Sequence, residues 1–180
     1  MRALLTRLRA YRKANQGVAA IEFALTLPFL LILCFGGVEI MDGVTLDRQV
    51  SLIATTVANI VTQYTSISAS TQMQDILNAS AQIMQPYTTS NAGIVVSLVS
   101  IDGGGHATVT WSQALNATAR TAGSNVSVPS ALATPNTTLV LSEASYAYTP
   151  VFDFIHTGTL HLAHSIYMVP REATTINLTS

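Results

Sequence analysis

Hydrophobic and polar positions change rhythm three times along the chain, and each change predicts an element. The stretch FALTLPFLLILCFGGV, from Phe23 to Val38, carries no charge; extended back to Val18 it holds one acid, Glu22. A helix of that length spans about 32 Å, close to the hydrocarbon thickness of a bilayer, and predicts a transmembrane helix over 18–41. Leu46, Val50, Ile53, Val57, Ile60 and Tyr64 then recur at steps of three and four, the seam of an amphipathic helix that continues the first after a bend near Gly43. Asp47, Arg48, Gln49, Asn59 and Gln63 fall off that seam. TSISAS at 65–70 interrupts the pattern. Ser70 is the expected N-cap of a second helix marked by Met73, Ile76, Leu77, Ser80, Ile83 and Met84 and stopped by Pro86.

From Ile94 the period falls to two. IVVSLVSI at 94–101 and ATVTW at 107–111 flank Asp102-Gly-Gly-Gly-His106, which predicts a β-hairpin. The three glycines precede no helix start and no lysine, so a turn is expected and not a phosphate loop. Residues 112–137, rich in Ala, Thr, Ser and Asn with two prolines, read as a loop. TLVLSEASYAYTP at 138–150 is a third strand with Tyr146 and Tyr148 on one face, FDFI at 152–155 a connector, and LHLAHSIYMV at 160–169 a fourth strand ended by Pro170. The expected sheet core is Val96, Leu98, Val109, Trp111, Leu139, Leu141, Ile166 and Met168, and the tail from Arg171 is expected to fray. The fold class is thus α+β: a transmembrane helix continuing into an amphipathic helix packed on an antiparallel sheet of about four strands. The segments expected are a basic leader 1–17, the membrane helix 18–41, a helical region 42–86, a β domain 87–170 and a polar tail 171–180.

Composition sharpens this outline. Only 9% of the residues are charged and 49% are apolar, which excludes a disordered chain. One cysteine excludes a disulfide scaffold. The near-neutral total of −1 conceals an asymmetry: Arg2, Arg7, Arg9, Arg12 and Lys13 precede the apolar run, and all nine acids follow position 17. These positives favour a cytoplasmic N-terminus and a translocated C-terminal domain. Removing residues 1–17 leaves three bases against nine acids, a net charge of −6 with no basic face for nucleic acid. Two other fates of the apolar run fit less well. A secretory cut after Gly36 would place Cys34 at −3, but the run is long for a signal and Glu22 ill-placed. A lipoprotein anchor is poorer still, because Leu33 before Cys34 is large.

An acid inside a spanning helix costs up to about 3 kcal/mol at the bilayer centre, less near an interface, and calls for a partner or a function. Its context is Gly17, four small or apolar residues, Glu22 and Phe23, behind a basic leader. This order resembles the prepilin processing site of the Flp/Tad pilus system. AIEFALTLPFLL is similar to the opening of the TadE-like pseudopilins, a likeness confined to this N-terminal segment. The resemblance implies cleavage between Gly17 and Val18 by a prepilin peptidase, with Glu22 and Phe23 as assembly and recognition residues. Glu22 and the new amine of Val18 stand one helical turn apart, and pairing of this carboxylate with a subunit's N-terminal amine would set register between helices. The resemblance also implies a proline near Pro28, which membrane helices tolerate, a partner ATPase, and partnership with other Tad pseudopilins and pilus assembly components in a bacterial inner membrane. The chain length favours TadE or TadF over the longer TadG-like proteins. An anchored envelope protein with an extracytoplasmic binding domain is the alternative.

Little else suggests chemistry. His156, His161 and His164 are near one another, but on a strand His161 and His164 face opposite sides. No catalytic residue, metal site or cofactor is therefore expected, and Cys34 reads as an inert thiol. Asn-x-Ser/Thr triplets at Asn78, Asn116, Asn125, Asn136 and Asn177 follow from a composition rich in those residues.

Overall fold

The computed structural model describes residues 16–150 and 158–180. Residues 1–15 of the basic leader, the FDFI connector and His156 lie outside the described residues. Helix α1, Gln16–Val61, runs without interruption through Pro28 and Gly43, joining the apolar span to the amphipathic seam. It is the one helix among the described residues long and apolar enough to cross a membrane. At 1.5 Å per residue its 46 residues extend about 69 Å. Residues 17–34 are exposed, and the part from Leu46 onward is packed.

The domain that packs on α1 follows as β1 (Ser66–Ser68), α2 (Gln72–Ala81), β2 (Ala92–Ile101), β3 (Ala107–Leu115), β4 (Thr137–Tyr148), β5 (Leu160–Met168) and β6 (Asn177–Thr179). The large sheet is antiparallel in the order β3-β2-β4-β5, the α+β architecture expected. Its hairpin turn is held by Asp102, whose Oδ1 accepts the N–H groups of Gly104 and His106 at 2.8 Å, with Gly105 at φ 82°. Two of the Asn-x-Ser/Thr asparagines have a backbone reason: Asn116 and Asn136 sit at φ 50° and 60°, a region asparagine tolerates better than most residues.

The seam of α1 drifts from the expected one. Leu46, Val50, Ile53 and Val57 are fully buried, but the last turn is closed by Ala54, Ala58 and Val61, and Ile60 and Tyr64 are only half-buried. A helix turns once in 3.6 residues, so the stripe continues by i+4 from Val57 to Val61. In α2, Met73, Leu77 and Ser80 face the core as expected. Its N-cap is Thr71, not Ser70, and makes no side-chain cap bond; the Ser68 N–H is instead taken by Gln72 Oε1 at 3.0 Å.

Three expectations are corrected. The tail does not fray: β6 pairs in parallel with β1, drawn from the segment read as a break, Ile176 is buried, and its carbonyl accepts the Trp111 indole N–H at 2.8 Å. Second, the sheet core is two clusters. Val96, Leu98 and Trp111 face α1 and α2 with Ile94 and Val140, whereas Leu139 and Leu141 join Val99, Ile101 and Ala107 on the opposite face. There Val126 and Val128 of the long loop cover them. This is why β2 is buried along nearly its whole length instead of alternating. A β-bulge at Leu98/Val99 leaves Thr110 unpaired between Val109 and Trp111. Third, Ile166 and Met168 are half-buried, because β5 is the outermost strand.

Strand β5 and helix α1 run in the same direction. Leu160 pairs with Tyr148, which bonds Glu39; His164 bonds Asp47; the Arg171 N–H reaches the Thr62 carbonyl at 2.9 Å.

Candidate membrane and assembly site

Gly17, Val18, Glu22 and Phe23 all fall at the start of α1, because the same run of helix-compatible apolar residues extends through them. All four are exposed, as are Ile21, Leu25, Phe29, Leu30 and Leu33 beyond them. Val18 and Glu22 lie at i and i+4, on one helical face. No ion pair to Glu22 forms among the described residues; Thr26 Oγ1 donates to the Glu22 carbonyl at 2.9 Å, a bond to the backbone that leaves the carboxylate unused. A Cβ added at Gly17 would meet nothing within 4 Å. Glycine here is not demanded by packing, and in a helix it costs about 1 kcal/mol relative to alanine. Large apolar side chains exposed all around the helix are what a lipid or another helix would cover.

Where α1 meets the domain, three acids leave the apolar run on the domain side of the helix. Tyr148 donates its hydroxyl to Glu39 Oε2 at 2.5 Å, Tyr87 to Asp42 Oδ1 at 2.9 Å, and His164 Nε2 lies 2.8 Å from Asp47 Oδ1. Burial, and then the neighbouring carboxylate, pushes both tyrosine hydroxyls above their ordinary value. These bonds clamp helix to domain directly above the bare span, so the orientation of the domain on its helix is set by hydrogen bonds as well as by the seam. Sequence reasoning missed the clamp. Its only signal was the group Glu39, Asp42 and Asp47 on a helix; the partners come from segments far along the chain.

On the sheet face away from α1, Arg120 Nε and Nη2 bond Glu143 Oε2 and Oε1, each at 2.7 Å, across a groove of about 690 Å³ floored by Gly93, Ser145, Ala163 and Ser165. Glu143 raises the Arg120 guanidinium above its usual value. Among the described residues no group of three His, Cys, Asp or Glu side chains converges to hold a metal. His161 is exposed while His164 turns to Asp47, as strand alternation required.

Residues 17–58 match the family model described as TadE-like protein. The match covers the exposed apolar span, the clamp acids and most of the seam. No curated protein matches the chain. No solved structure does either.

Proposed function

We propose that this TadE-like chain is a structural component of a Tad pilus system: a pseudopilin, cut after Gly17 by a prepilin peptidase and anchored in the bacterial inner membrane by α1. The observation that carries the reading is the coincidence of the family match at 17–58 with an exposed apolar helix opening on Gly17, Val18, Glu22 and Phe23. A glycine that the fold does not need is what a peptidase requiring close backbone approach would select. Glu22, whose carboxylate is unpaired among the described residues, is available to the N-terminal amine of a neighbouring subunit. Partners are other Tad pseudopilins and assembly components, and the role is assembly and not catalysis.

The test is the intact mass and N-terminal sequence of the membrane-fraction protein from cells with and without the prepilin peptidase. A start at Val18 only when the peptidase is present is expected. A start at Met1 in both strains overturns the processing and favours the second reading, an anchored envelope protein whose binding domain uses the groove at Arg120 and Glu143.

A further inference from the structure

The face of α1 turned away from the domain stays apolar farther along the helix than the face turned toward it. On the domain side the run ends at Glu39, and Glu39, Asp42 and Asp47 each meet a side chain of the domain: Tyr148, Tyr87 and His164. On the other side Leu30, Cys34, Gly37, Met41 and Val44 step by four, three, four and three, one helical stripe, and all are exposed. Met41 is 73% exposed and Val44 49%, although both stand beyond Glu39, and Ile40 beside them is 70% exposed. The first charge on this stripe is Arg48, also exposed, after which Leu52 continues it. Thr45, next to Val44, donates its hydroxyl to the Met41 carbonyl at 2.8 Å, so it presents no unsatisfied donor outward.

We infer that the stripe through Met41 and Val44 is a lipid-contact surface, so that the bilayer boundary crosses α1 obliquely: at Glu39 on the domain side, and between Val44 and Arg48 on the other. The inference rests on the reading that α1 is anchored in a bilayer, and adds where and at what slant the helix leaves it. Continuity names the occupant. The stripe extends the apolar surface that lipid already covers at Leu30 and Cys34 on that reading, and no charged residue interrupts it before Arg48. Exposed to water instead, Ile40, Met41 and Val44 would form an apolar patch joined to the membrane span.

The geometry accommodates the slant. From Glu39 to Val44 the helix rises about 7.5 Å at 1.5 Å per residue, and it is about 10 Å wide. A boundary offset by that much across that width corresponds to a tilt toward the upper end of the range of about 0–40° found for spanning helices. Tilt is set by packing and by interfacial side chains. Here the domain loads one side of α1, and Arg48 can lay its aliphatic stem along the stripe with its guanidinium among the headgroups. The helix then leans away from the domain, which rides on its upper side.

Spin labels on single cysteines test this in the full-length protein, in a Cys34→Ser background and in vesicles of phosphatidylethanolamine and phosphatidylglycerol. The reading is accessibility to oxygen relative to a water-soluble nickel chelate. Met41→Cys and Val44→Cys are expected to show an oxygen-to-nickel ratio at least tenfold above that of Leu52→Cys and of Thr149→Cys, which is exposed beside Tyr148 on the domain side. Thr149 reads the slant: it follows the residue that bonds Glu39, so a perpendicular helix would bury it at least as deeply as Val44. Nickel access at positions 41 and 44 equal to that at 52 overturns the inference. Exclusion of both reagents there, the sign of contact with a second protein, overturns it too, as does an oxygen-dominated signal at Leu52 or Thr149. Leu30→Cys is scored in parallel. Nickel access at position 30 overturns the anchoring itself, whereas an oxygen-dominated position 30 with a water-exposed position 44 overturns only the lipid face beyond Glu39.

Discussion

The acid–tyrosine bonds at the neck give single residues measurable consequences. Tyr148 is buried and donates to a carboxylate, so Tyr148→Phe should cost about 2 kcal/mol, read as a lowered urea midpoint of the full-length protein in detergent. Both clamp tyrosines also make stability depend on alkaline pH. Their folded-state values lie above the unfolded value of about 10, so the folded chain holds these protons more tightly. That contribution is complete below about pH 10 and is lost as the pH rises above it toward the folded-state values. Stability should therefore fall with rising pH above about 10, and the fall should be smaller in a Tyr87→Phe, Tyr148→Phe double variant. At the other end of α1, Glu22→Gln removes a carboxylate that no side chain engages among the described residues. Membrane insertion should persist, since a neutral amide is easier to bury than a charge, while recovery in sheared pilus fractions should drop at least tenfold. Unchanged recovery would remove the role given to Glu22.

Among the elements, β6 is the one whose importance the polar composition of the tail conceals. Ile176 fills the core beside Trp111, and the strand pairs with β1, which lies at the opposite end of the domain's sequence. Ending the chain at Thr175 removes a buried isoleucine, costing about 2–5 kcal/mol, and strips the acceptor from a buried indole N–H, costing about 1–3 kcal/mol. A loss of about 3 kcal/mol or more is expected in urea unfolding of the truncated protein. An unchanged unfolding midpoint would mean the tail is peripheral. The two faces of the sheet follow the same logic. β2 is buried on both sides because the helices cover one and residues 126–128 the other, with Tyr167 donating to the Ser127 carbonyl at 3.1 Å.

For the whole molecule, the parallel course of α1 and β5 stands the sheet on end above the bare span. If α1 crosses the inner membrane with its N-terminus inside, the domain lies wholly on the far side. In a Cys34→Ser background, Ser130→Cys, on the exposed long loop, should react with an impermeant maleimide in unbroken spheroplasts. Native Cys34, exposed on the helix but within the apolar span, should react only after detergent is added. Labelling of Ser130→Cys only after lysis would reverse the topology.

What the linear pattern determined is what depends on near neighbours and period. The long apolar helix, the first part of its seam, the hairpin around Asp102 and the third and fourth strands are each local arrangements of apolar residues at the helical or the extended period. The structure forms them as one helix over Gln16–Val61 and as strands at Ala92–Ile101, Ala107–Leu115, Thr137–Tyr148 and Leu160–Met168. Gly17, Val18, Glu22 and Phe23 stand on the first turns of that helix because they are contiguous with its apolar run. Only the tertiary structure decided which acid meets which tyrosine, that Leu139 and Leu141 belong under the long loop, that Ser66–Ser68 and Asn177–Thr179 are strands, and that β5 is the outermost strand of the large sheet. Each of these is a pairing between segments far apart in the chain. Its free energy comes from burial and hydrogen bonds that exist only after the sheet has closed on the helix, and a periodicity confined to one segment carries no record of its partner.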